Sequence, residues 1–119
     1  MMIRVDRDSV AMGEDVRPHD ETIDLPGETS LADVVAHLLE RRFLASIASG
    51  RATWILVGDR PLAVVAQQWD EPRFLVDGSR PIRSFGAWAG GVSLRFRYWK
   101  QHTPDGVFEE LAAGREPER

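Results

Sequence analysis

Residues 52–69, ATWILVGDRPLAVVAQQW, decide how this chain folds. Two apolar runs, Trp54 to Val57 and Leu62 to Ala66, flank Gly58, Asp59, Arg60 and Pro61. β-Branched and aromatic residues fill the runs, as a pleated, packed surface prefers, and the residues between them are turn formers. A helix through the same stretch would be broken at Gly58 and Pro61. The reading is therefore a hairpin. Neither strand alternates: Trp54 and Leu56 point one way, Ile55 and Val57 the other. Strands apolar on both faces are covered on both faces, so this hairpin needs two covers.

A chain of 119 residues, 43% hydrophobic and 29% charged, fits one globular domain spanning 1–119. The absence of cysteine excludes disulfides, thiolate metal sites and cysteine catalysis, and suits a reducing compartment. No apolar run is long enough to span a membrane, and the N-terminal residues lack the apolar core of a signal peptide. A cytoplasmic location is the expectation. The net charge of −4 conceals a polarised chain. Residues 1–40 carry −7, residues 41–100 carry +6 and residues 101–119 carry −3. Either the segments attract one another within the fold, or the acidic N-terminal part meets a basic partner.

Ile3 and Val5 mark a first short strand, and Ile23 and Leu25 a second before Pro26 and Gly27. Leu31, Val34, Val35, Leu38, Leu39 and Phe43 then fall on one stripe of a long amphipathic helix over about 30–43, with Ser30 as its cap. This is the first cover. After the hairpin, Phe74 to Val76 form another strand. Residues 92–100 form the clearest amphipathic one, with Val92, Leu94, Phe96 and Tyr98 on one face and Ser93, Arg95, Arg97 and Trp99 on the other. Thr103 and Pro104 open a short C-terminal helix over about 104–113, stopped by Gly114. It is the candidate second cover.

The order ββαββββα implies an α+β fold, a mixed or mostly antiparallel sheet of five to six strands with helices against it. Over residues 2–76 the order of elements is similar to that of β-grasp, ubiquitin-like proteins. Gly90 and Gly91 resemble the diglycine tail of that family, but a strand follows them here, so they read as a turn.

No motif in the chain names an activity. His37 stands four residues after Asp33, a common surface pair, with no second ligand at metal spacing. Asp6 and Asp8 begin like a calcium loop, but Val10 holds the next ligand position. No nucleophile elbow, dinucleotide fingerprint or phosphate loop is present. Neither a metal nor a cofactor is expected, and the reading leans away from an enzyme.

The strongest candidate is the face carrying Arg95, Arg97 and Trp99, extended by Arg83. Arginine and tryptophan cover apolar area while offering directed donors, and so concentrate at interface hot spots. The alternative is that these arginines pair with acids from the N-terminal part. The second candidate is the acidic loop with Asp15, Asp20 and Glu21. The expected function is that of a non-enzymatic, cytoplasmic binding protein acting on a protein partner. An immunity or antitoxin-like inhibitor or a secretion accessory, of bacterial origin, fits this description. Nucleic acid is disfavoured by the net acidity, and self-association remains open. The competing expectation is a small-molecule binder or enzyme with a pocket between the sheet and loop 84–91, using His19, His102 and Trp88.

Overall fold

The computed structural model describes residues 1–8, 21–40, 53–67, 69–85, 91–99 and 104–115. Six strands form one sheet: β1 (Met2–Arg7), β2 (Glu21–Asp24), β3 (Thr53–Val57), β4 (Pro61–Ala66), β5 (Arg73–Phe74) and β6 (Gly91–Tyr98). Their order across the sheet is β2-β1-β6-β3-β4-β5. β6 runs parallel to β1 and antiparallel to β3, and every other pair is antiparallel. Helix α1 (Leu31–Glu40) precedes β3, a 3-10 turn (Ile82–Phe85) precedes β6, and helix α2 (Pro104–Ala112) follows β6. The fold is α+β.

The central hairpin forms as its composition demands. Trp54 pairs with Val65, Ile55 with Val64 and Leu56 with Ala63, and the register shifts at Val57 beside the Gly58–Arg60 turn. Both covers are present. Trp54, Leu56, Ala63 and Val65 pack in one cluster with Leu31, Val34, Val35 and Leu38 of α1, and with Ile3, Val5, Val92, Leu94 and Phe96. Ile55 and Val64, on the opposite face, pack with Trp99 and with Val107 of α2.

The second cover is narrower than the first. It lies over β3 and β4, whose strands are apolar on both faces. On the same side of the sheet, β1 and β6 present Met2, Arg4, Ser93 and Arg95 to solvent. Strand composition thus matches the width of the cover: strands apolar on both faces lie beneath α2, and alternating strands extend beyond it.

One expectation is corrected. The long helix over 30–43 is a helix of ten residues, Leu31–Glu40. Residues 41–43, Phe43 among them, lie outside the described residues. The apolar stripe measures which side of a helix is buried, and a continued stripe does not fix where the helix ends. Leu31, Val34, Val35 and Leu38 already seat α1 on the sheet, all fully buried.

The start of α1 is fixed by its caps. A helix leaves its first backbone donors without intrahelical partners. Here Leu31 N–H donates to Arg80 O (3.0 Å), Ala32 N–H to Gly78 O (2.9 Å) and Asp33 N–H to Ser30 Oγ (3.1 Å). Segment 77–81 is thereby bound to the helix N-terminus, which also holds Asp77 and Arg80 in place.

Candidate functional site

On the α2 side of the sheet an open cleft of about 650 Å³ lies beside the C-terminal end of α2. Ile55 and Val57 of β3 and Arg97 and Trp99 at the end of β6 enter it from the sheet. Arg60 and Pro61 come from the hairpin turn, and Leu75, Asp77 and Arg80 from the segment after β5. Leu111 and Ala112 of α2, with Gly114 and Arg115 from the turn after it, close it. Four arginines and one aspartate therefore ring an apolar floor.

Each cleft arginine is positioned differently. Arg97 extends over Trp99, its guanidinium carbon 5.1 Å from the ring centroid. Arg80 lies over Phe85 at 4.9 Å. Such stacking orients a guanidinium while leaving its edge donors available. Arg115 holds Glu110 in a fork, Nε to Oε2 at 2.6 Å and Nη2 to Oε1 at 3.4 Å. That contact raises the Arg115 pKa and lowers that of Glu110. Arg60 stands exposed in the turn. Among the described residues, Arg60, Arg80 and Arg97 form no ion pair with a carboxylate.

Three arginines outside the cleft are held by carboxylates, and Arg4 on β1 forms no ion pair among the described residues. Arg95 pairs with Asp6 (3.1 Å) and Asp8 (2.6 Å), Arg83 with Glu28 (2.8 Å) and Arg73 with Asp105 (2.9 Å). The positive middle of the chain is thus neutralised by its acidic ends at these three places. Among the described residues, the cleft gathers three arginines, Arg60, Arg80 and Arg97, that have no ion pair.

Asp77 is the acid of the rim. Its Oδ1 accepts the Ser79 hydroxyl (2.6 Å) and the Ser79 N–H (3.0 Å). These bonds, with the Arg80 charge beyond them, hold its carboxyl below the usual carboxylate range. A carboxylate so stabilised is a poor proton acceptor near neutrality. Among the described residues no three histidines, aspartates or glutamates gather as metal ligands do, and no helix is long and apolar enough to cross a membrane.

Of the residues singled out in the sequence, Arg97 and Trp99 meet at the cleft. Trp99 is only 2% exposed, because α2 covers it. Arg95 shares their strand face but is engaged by Asp6 and Asp8, and Arg83 is engaged by Glu28. Glu21 opens β2, at the edge of the sheet and paired with Val5. Asp15, Asp20, His19, His102 and Trp88 lie outside the described residues. Arg60, Arg80, Arg115 and Asp77 were not foreseen. Arg60 had a signal, since it sits in the turn that closes the doubly covered hairpin.

Protein-family models, curated proteins and solved structures give no match to this chain.

Proposed function

We propose that this is a non-enzymatic binding protein that acts through a protein surface, with the arginine cleft as its contact. One observation carries the reading. Three cleft arginines keep no carboxylate partner among the described residues, whereas Arg73, Arg83 and Arg95 each have one. A cationic surface spared internal neutralisation attracts an acidic partner and speeds encounter more than it deepens affinity. The mechanism is occlusion: the cleft and its rim cover an acidic site on the partner. A cytoplasmic immunity or antitoxin-like inhibitor, or a secretion accessory, of a bacterium is the setting in which such a domain works. The sheet order β2-β1-β6-β3-β4, with the last strand parallel to the first, supports a β-grasp arrangement. That arrangement needs residues 91–98 as well as 2–76.

The small-molecule reading draws on the cleft volume, which lies within the range of ligand sites, about 300–1,000 Å³. Its openness favours a macromolecular contact instead. Photo-crosslinking separates the two. A benzophenone side chain is placed at Ala112 in the cleft or at Ser93 on the exposed face of β6, and the protein is irradiated in cells of its own source. Adducts of protein mass at Ala112, reduced by Arg97→Glu, support the reading. Protein adducts from Ser93 alone move the contact to the Arg95 face. No protein adduct from either position sinks the binding-protein reading.

A further inference from the structure

We infer that the cleft receives a short acidic peptide segment whose apolar side chains seat on the floor between β3, β6 and α2. The inference rests on the binding-protein reading above and names the chemistry of its occupant. Charge complementarity supplies the first argument. Arg60, Arg80 and Arg97 offer guanidinium donors, and those of Arg80 and Arg97 are oriented by stacking on Phe85 and Trp99. Planar guanidinium forks match carboxylates in two-point contacts.

The floor supplies the second. Ile55, Val57, Leu75 and Leu111 border the same space as the arginines. A bare anion would leave that apolar surface wet, whereas a peptide that alternates acidic and aliphatic side chains uses both. The rim supplies the third. Asp77 offers a carboxylate with one oxygen already committed to Ser79, and Glu110 lies against Arg115. Peptide N–H groups are donors suited to the remaining oxygen of Asp77. A DNA backbone brings only acceptors, and any nucleic-acid backbone would meet repulsion from both carboxylates. Single-strand binders track the backbone along a continuous positive groove, and these arginines are confined to one cleft of an acidic chain.

The test is a titration of the ¹⁵N-labelled protein with four probes. These are an acetylated hexapeptide of alternating glutamate and leucine, its lysine–leucine counterpart, inorganic phosphate and an oligothymidylate. The glutamate–leucine peptide should shift the amides of Val57, Leu111 and Gly114 and leave those of Thr22 and Ile23 on β2 in place. The shifts should weaken as salt is raised, because exposed charges are screened. Arg97→Gln and Arg60→Gln should each weaken apparent binding by about tenfold, the order expected for losing a charge-assisted contact. Circular dichroism verifies both folds, and Arg60, in an exposed turn, serves if the Arg97 variant unfolds. Equal shifts from phosphate would make this a simple anion site and overturn the inference. Stronger shifts from the thymidylate or the lysine peptide, or none from any probe, overturn it as well. A protein adduct from Ala112 together with a silent glutamate–leucine titration would leave the binding-protein reading standing and remove only the acidic occupant.

Discussion

Asp8 and Arg95, 87 positions apart, close the junction between the first and last strands of the sheet. Asp8 Oδ1 accepts Arg95 Nε (3.1 Å) and Nη2 (2.6 Å), and its Oδ2 accepts the Tyr98 N–H (3.0 Å). The Asp8 N–H itself donates to Phe96 O (3.0 Å), prolonging the parallel β1–β6 ladder by one step. The contact raises the Arg95 pKa, chiefly through the hydrogen bond to Asp8.

The ion pair and the backbone bond differ in weight. The Arg95 side chain is 54% exposed and that of Asp8 24%. Exposed pairs contribute under about 1 kcal/mol, so Arg95→Ala should cost no more than that. Asp8→Ala also strands the half-buried Tyr98 N–H, and should cost about 1–2 kcal/mol. Urea denaturation of the two variants checks the order. Equal losses would mean that the Tyr98 bond contributes nothing.

Two carboxyls, Asp77 in the cleft and Glu110 on α2 beside it, are shifted in the same direction. Asp77 and Glu110 both titrate below the usual range, the first through Ser79 and the second through Arg115. A carboxyl whose folded pKa is lowered stabilises the fold above its unfolded value, and that contribution is lost as pH falls through the lowered value. Both groups therefore gain their proton at lower pH than an unpaired carboxyl would. Ser79→Ala should move the Asp77 titration upward, read from its side-chain ¹³C shift, and leave Glu110 unchanged. An unmoved Asp77 would show that the Ser79 hydroxyl does not set it.

The two faces of the sheet should differ in stability. Among the described residues, seventeen buried side chains form the cluster beneath α1 and four form the one beneath α2. Leu38→Ala should cost about 2–5 kcal/mol. Val107→Ala removes two methyl groups and should cost about 1–2 kcal/mol. Local opening follows the smaller apolar contact, so α2 amides should exchange with solvent faster than those of α1, β3 and β4. Protection of α2 equal to that of β3 would contradict this ranking.

Much of the architecture was legible because it rests on local periods. The two apolar faces of residues 54–57 and 62–66 called for two covers, and α1 and α2 supply them. The alternation along β6 put Tyr98 on one side and Arg97 and Trp99 on the other. Periodicity gives direction but not depth, so it could not show that α2 covers Trp99 almost completely. Nor could it fix the described helix at the ten residues Leu31–Glu40. The cleft was hidden for a different reason. Arg60, Arg80, Arg97 and Arg115 come from a turn, a loop, a strand end and a helix end. They converge only once β6 has inserted between β1 and β3 and α2 has docked. Which arginines are neutralised was equally hidden, since Asp8 finds Arg95 through a parallel strand pairing that no neighbouring residue encodes.

The end of α2 links backbone conformation to the cleft. Gly114 has φ +80°, and its N–H donates to Leu111 O (3.0 Å) while Arg115 N–H reaches Glu110 O (2.8 Å). This paired closure is the glycine-terminated helix end in which the residue after the helix is left-handed. A Cβ at Gly114 would meet no atom within 4 Å, so any penalty for adding one comes from the backbone alone. Gly114→Ala should therefore cost about 1 kcal/mol, and Gly114→Asn less, because asparagine tolerates the left-handed region better. The same turn brings the Arg115 guanidinium back onto Glu110. If alanine opens the turn, the Glu110 carboxyl should titrate closer to its ordinary value, while the asparagine variant keeps it low. Denaturation midpoints and the Glu110 ¹³C titration, measured on the same two proteins, test both halves. A destabilised alanine variant with an unchanged Glu110 would show that the ion pair forms independently of the turn.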